Sequence, residues 1–266
     1  MKNRHGYIIL ITVLLPFVLQ GLRCSNLMDS ASKMMISDEE EVTMGRKFHK
    51  EIKADSENYP PYKERSDKKI EFIEYIDSIG DEIADAQRDR DIPFHFTIID
   101  MDTVVNAFAV PGGYVYIYTG LILEAEDEAE IAGVLAHEIG HITKRYGVEK
   151  LIKLHGYNFL LDILVGDSTA LRTVMDAAGG MAFLKLSRSN EHEADSCSVE
   201  YTSDAGSNPE GMKTFLEKLR ADRSLNFEPL STHPDTDKRI DSVASLISSK
   251  PASVRELAKP EVRVYP

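Results

Sequence analysis

Apolar residues recur along this chain at helical and strand spacings in turn. Ser37-Asp38-Glu39-Glu40 has the form of a capping box and opens a helix running to about Ala54. Asn58-Tyr59-Pro60-Pro61 then breaks the pattern. Ile70, Ile73, Ile76, Ile79 and Ile83 return every three or four positions, which predicts an amphipathic helix from about Ser66 to Arg88 with these residues on its apolar side. Phe94 to Ile99 alternates with the period of a strand. Asn106 to Val115 reads as strands about a Pro-Gly-Gly turn, with a strand or sheet edge at Tyr114–Thr119. From about Asp127, Ile131, Val134, Leu135 and Ile139 resume helical spacing, and acidic residues crowd the start, where the helix dipole is positive. Glu149 to Val165 and Thr169 to Leu186 read as apolar helices parted by Gly166-Asp167; further helices are expected near Arg188–Asp204, Pro209–Ala221 and Asp235–Ser248. The whole is an α+β fold, mostly helical, with one small sheet.

The third of these helices carries His137-Glu138-Ile139-Gly140-His141. Positions four apart lie one above the other on a helix face, so the two imidazoles can reach one metal ion. Glu138, one residue after the first, can reach a water on that ion. This spacing is the signature of a zinc-dependent peptidase in which the Glu is the general base. The plain alternative is a core helix with two histidines on its polar edge.

Catalytic zinc takes three protein ligands and leaves one position for water. Donors for the third place crowd into Ser187-Arg188-Ser189-Asn190-Glu191-His192-Glu193-Ala194-Asp195. Glu191 and Asp195 share a face, while His192 and Glu193 are rotated from it by about 100° and 200°. Helical geometry alone does not choose between these faces.

The pair HEIGH and SRSNEHEAD resembles the HtpX-like and CAAX prenyl protease-like zinc metallopeptidases. The resemblance extends to Asn106-Ala107-Phe108-Ala109-Val110-Pro111-Gly112-Gly113, similar to the family's hairpin, and to Thr232-His233-Pro234 with Arg239-Ile240. Four motifs in family order span residues 38–247, and the small periplasmic or outer-membrane-associated bacterial members match best. The resemblance implies a zincin-like (gluzincin) domain holding one zinc through His137, His141 and Glu191, with Glu138 as base. It favours an edge strand at Asn106, Ala107, Phe108 and Ala109 that binds extended substrate through main-chain hydrogen bonds, the alternative being an ordinary hairpin inside a sheet. Asp195 is expected to accept the outer N–H of a zinc histidine; its alternatives are a solvated position or a salt bridge to Arg188 or Arg239. His233 is expected near the zinc, either donating to the oxyanion or filling the fourth zinc position at rest; the third reading is a histidine before a helix with no chemistry. Arg239 is expected to hold Asp195 or the oxyanion region, or else to be a surface arginine.

Composition narrows the partners. The 266 residues are 42% hydrophobic, enough for one domain with a substantial core. A net charge of −13 and the lack of a basic stripe argue against nucleic acid. Lys2 and Arg4 precede an apolar run of 13 residues, Tyr7 to Leu19, which suits an export signal and is short for a membrane span. Residues 1–23 are therefore expected to be a signal peptide or N-terminal anchor, 24–36 a flexible linker and 37–266 the zinc metallopeptidase domain, on the periplasmic side of a bacterial membrane. Cys24 is a poor lipidation site because Arg23 precedes it. Cys197, the other cysteine, is expected to be a small buried residue. In the insertion between His141 and Glu191, Lys150, Lys153, Asp162, Asp167, Arg172, Asp176 and Lys185 interrupt the apolar residues, so a packed core hairpin or a lid touching the membrane is expected rather than a span.

The function so implied is zinc-dependent hydrolysis of peptide bonds in unfolded or misfolded envelope proteins, with membrane association as a further expectation. Two rivals remain: a latent metal-bearing chaperone or binding protein on the same fold, and a purely structural metal site with a fourth protein ligand. Neither has a use for Glu138.

Overall fold

The computed structural model describes residues 36–63, 66–166, 168–176, 186–221, 236–258 and 260–262. Met1–Ser37 and Asp38–Pro266 are separate units; the account below concerns the second. His233, Cys24 and the expected signal segment lie outside the described residues.

The first helix, α1 (Asp38–Ala54), buries Glu41, Met44, Gly45, Phe48 and Ile52 along one face. The second, α2 (Asp67–Ala86), starts at Ser66, whose side chain accepts from the Lys69 N–H. Its buried stripe is Phe72, Tyr75, Ile76, Ile79 and Ile83. Ile70 is 39% exposed, so it does not share the apolar side expected for it. Phe72 and Tyr75 turn the buried stripe away from Ile70.

A three-stranded sheet follows, formed by β1 (His95–Ile99), β2 (Ala107–Val110) and β3 (Tyr114–Tyr118) in the order β1-β3-β2. β1 runs parallel to β3, with Ile98 opposite Ile117; β2 is antiparallel to it, with Phe108 opposite Tyr116. β3 is thus the central strand, not an edge, because the parallel partner β1 covers its other side. The β2–β3 turn uses Gly112 and Gly113 at φ +86° and +96°. A Cβ on Gly113 would lie 1.9 Å from the Pro93 carbonyl oxygen, so only glycine fits. Alternation places Val115 and Ile117 in the main core and turns Tyr116 the other way, its hydroxyl 2.7 Å from His49 Nδ1 of α1.

A short α3 (Thr119–Glu124) leads to α4 (Glu128–Thr143), the centre of the molecule. Every residue from Ala129 to Thr143 is buried, as expected for a helix wrapped on all sides. Asp127 caps it by accepting the Glu130 N–H at 3.0 Å. The orphan N–H of Glu128 donates to the Pro260 carbonyl at 2.8 Å, so the C-terminal tail completes the cap.

The region after α4 forms α5 (Tyr146–His155), α6 (Tyr157–Val165) and α7 (Ser168–Asp176). The expected helix from Glu149 to Val165 is therefore two helices, broken at Gly156 with φ +83°. Leu151, Leu160, Ile163, Leu171 and Val174 are buried, while Leu154 and Val165 are exposed. No helix among the described residues is long and apolar enough to cross a membrane. Next come α8 (Arg188–Ala205), opened by a Ser187/Asn190 capping box, then α9 (Gly211–Ala221), α10 (Thr236–Ser248) and the short α11 (Ala252–Arg255). The fold class matches the expectation: α+β, mostly helical, with one small sheet.

Candidate active site

Two helices crossing at the core build the site. α4 contributes His137, Glu138 and His141, which are 2%, 3% and 6% exposed. One ligand atom from each lies within 4.8 Å of those of the other two. α8 contributes Glu191 and Asp195, both fully buried. Of the faces left open by helical geometry, the Glu191/Asp195 face meets α4; Glu193 is exposed and His192 is half-buried. The close crossing depends on Gly140, between the two histidines. A Cβ there would lie 2.8 Å from the Cys197 Cβ and 3.4 Å from the Ala194 Cα, so a larger residue would force α8 outward. Cys197 itself is a buried free thiol whose pKa burial pushes up.

Glu191 Oε2 lies 3.5 Å from His137 Nε2, and Oε1 lies 3.7 Å from His141 Nε2. These gaps are too long for good hydrogen bonds. They match the separation of neighbouring ligands about a tetrahedral ion, about 3.4 Å for bonds of about 2.0–2.2 Å. The donor set of two imidazoles and a carboxylate therefore fits a divalent cation such as zinc.

Behind these donors is a second layer of charge. Asp195 Oδ1 is 3.0 Å from His137 Nδ1, so an N–H there donates outward and leaves Nε2 turned toward Glu191. Arg239 of α10 grips Asp195 with two hydrogen bonds, Nε to Oδ2 at 2.8 Å and Nη2 to Oδ1 at 2.7 Å. Its Nη1 stands 3.3 Å from Glu191 Oε2. Two readings of Asp195 thus coexist, as acceptor for the histidine and as ion-pair partner of Arg239. Arg239, at 2% exposure, is no surface arginine. Burial raises the Asp195 pKa, but Arg239 beside it outweighs this and holds the carboxyl at about 2. For His137, burial opposes protonation, yet the Asp195 and Glu191 carboxylates prevail and the ring is pushed up to about 9.

Sequence reasoning passed over Tyr146. Its ring is 1% exposed and meets His141 edge-on, with centroids 5.9 Å apart. Nothing in the local pattern of the sequence marks it.

Asn106 is buried at the start of β2, and β2 lies against α4. Ala107 and Ala109 pack toward the main core. The Phe108 ring stacks on Tyr116 at 4.7 Å on the other face, so Phe108 offers the region its backbone rather than its ring.

The sequence model of Peptidase family M48 matches residues 73–247, which holds all these donors and Arg239. The chain belongs to peptidase family M48. It is 29% identical over 221 residues to the beta-barrel assembly-enhancing protease of Yersinia pestis, covering 77% of this chain and 43% of that protein. It is 30% identical over 183 residues to the protein of that name from Escherichia coli strain K12, covering 64% and 37%. It is 34% identical over 149 residues to the mitochondrial metalloendopeptidase OMA1 of Arabidopsis thaliana, covering 52% and 28%. The chain thus spans about two fifths of the length of the first two M48 relatives.

Proposed function

We propose that this chain is a zinc-dependent endopeptidase that cleaves unfolded or misfolded proteins of the bacterial cell envelope. The observation that carries this reading is the convergence of His137, His141 and Glu191 at 3.5–3.7 Å beside the buried Glu138. His137 Nε2, His141 Nε2 and the Glu191 carboxylate would hold the ion. When bound, zinc would supply Lewis acidity, making a water more acidic and polarising a peptide carbonyl.

The protein's own groups do the rest. Glu138 takes the proton of the attacking water and later hands it to the leaving amine. Asp195 keeps His137 in the tautomer that presents Nε2 inward. Arg239 neutralises Asp195, so that a buried carboxylate is available for that task. The β2 edge, with small Ala107 and Ala109 and with Asn106 leading in, is assigned to holding the substrate in extended form. His233 is assigned either to the oxyanion or to a resting fourth ligand position.

Relatives named beta-barrel assembly-enhancing protease support an envelope setting, as does the basic-then-apolar start of the chain. The proposal accordingly divides the chain into a signal or anchor (1–23), a linker (24–36) and the peptidase domain (37–266), exported to the periplasm and in reach of a membrane. The test is cleavage of unfolded casein by the purified protein. Chelator should abolish it and zinc restore it. Glu138→Gln should reduce it by about 10²–10⁴-fold while zinc stays bound. Cleavage insensitive to both would overturn the assignment.

A further inference from the structure

At the far side of the β2–β3 turn lies a buried carboxylate that the chemistry above does not use. Glu41, on α1, is 0% exposed. Its Oε1 accepts the Gly112 N–H of the turn at 3.2 Å. Its Oε2 accepts from Arg145 Nε at 2.7 Å and pairs with Arg90 Nη2 at 3.0 Å. Arg90 reaches on with Nη1 to the carbonyl of Ile142, the residue after His141, at 3.1 Å. One side chain thus ties together three pieces: α1, the turn that ends β2, and the end of the helix that carries the histidines.

Two further features make the tie rigid. Arg145 sits at φ +59°, the one non-glycine residue with positive φ among the described residues. A long side chain is disfavoured in that conformation, and such strain persists where the surroundings over-determine it. Here Glu41 grips its guanidinium. The turn is also caught without slack. A Cβ on Gly45 would lie 2.3 Å from the Pro111 carbonyl oxygen, and one on Gly112 would lie 2.4 Å from the Glu41 carbonyl oxygen.

We infer that Glu41 is a positioning residue for substrate. Through Gly112 on one side and Arg90 and Arg145 on the other, it sets where the β2 edge stands relative to the His137/His141 helix. This rests on the peptidase reading, in which β2 holds the peptide and that helix holds the cation. A small shift of the turn moves the bound peptide away from the reacting centre while the three metal donors, on α4 and α8, stay where they are. The signature is a defect in substrate use without a defect in metal binding.

Two variants of the full chain test it. Glu41→Gln keeps size and removes the charge. Arg145→Gly removes the partner and suits φ +59°, so it relieves strain rather than adding it. Both are assayed for kcat and KM on a fluorogenic peptide, for zinc affinity by chelator competition, and for thermal melting. The expected result is a rise in KM of about fivefold or more in Arg145→Gly, with the same direction in Glu41→Gln. Zinc affinity should stay within about twofold, and the melting temperature of Arg145→Gly should be retained. KM within about twofold of the unaltered protein in Arg145→Gly overturns the inference and leaves Glu41 a stabilising ion pair only; this holds even if Glu41→Gln does not fold. An equal loss of zinc affinity overturns it too, since the tie would then act on the metal donors. If the unaltered protein shows no chelator-sensitive cleavage, the peptidase reading itself fails, and this inference with it.

Discussion

Asp195→Asn deletes the charge against which Arg239 is buried. Both side chains are at least 97% shielded, so solvent does not screen the pair. Holding the Asp195 carboxyl at about 2 against an ordinary 3.8 is worth about 2 kcal/mol, at about 1.4 kcal/mol per pH unit. The folded-state pKa is depressed, so this contribution is fully present above pH 3.8 and is lost as pH falls through about 2. Stranding one member of a buried pair can cost about 3–5 kcal/mol; Asn keeps the shape and one acceptor, so about 2–3 kcal/mol is expected. For a domain of this size that is a fall in melting temperature of about 4–12 °C at pH 7. The gap between variant and parent should narrow as both are acidified below pH 4. His137 loses its charged acceptor at the same time, so zinc affinity should drop by about 10–100-fold. Thermal melts from pH 7 to pH 3, with chelator competition at pH 7, measure both effects. Melting as predicted with unchanged zinc affinity would refute the orienting role of Asp195. Unchanged melting would refute the ion-pair energetics as well.

Three other outcomes follow from the same geometry. Gly140→Ala places a Cβ 2.8 Å from that of Cys197; it should cost about 1–3 kcal/mol by overpacking and weaken zinc binding by moving Glu191, both readable by melting and chelator competition. Metal-free His137 keeps its proton up to about pH 9, so zinc uptake at pH 7 should release a proton and tighten by up to about tenfold per pH unit below that value; calorimetry in two buffers of different ionisation enthalpy counts the proton. His233→Ala should change turnover, and turnover unchanged at every pH tested would leave His233 without chemistry.

What could be seen in the sequence was whatever depends on a fixed local period. His137 and His141 share a face because four residues make about one helical turn, and no tertiary detail alters that. The Gly112-Gly113 turn was visible because positive φ selects glycine. What could not be seen depends on how elements meet. Periodicity put Glu191 and Asp195 on one face but could not say that this face turns to α4; the family pattern supplied that. The meeting itself is made by Gly140, Ala194 and Cys197, small residues whose significance is a distance between two helices. Ile70 fits the repeat of isoleucines yet is exposed, because each step of three falls about 60° short of a full turn, which leaves Ile70 nearly opposite Phe72 and Ile79 on the helix. Glu41 and Arg145 are the extreme case. They are 104 positions apart, and in sequence each is one charged residue among many. A buried carboxylate is tolerated only where donors from distant segments converge on it, so its importance is created by the fold and has no local signature. The candidate metal donors announce themselves because one helix supplies two of them; the groups that tie the β2–β3 turn to that helix come from three segments, and only assembly reveals them.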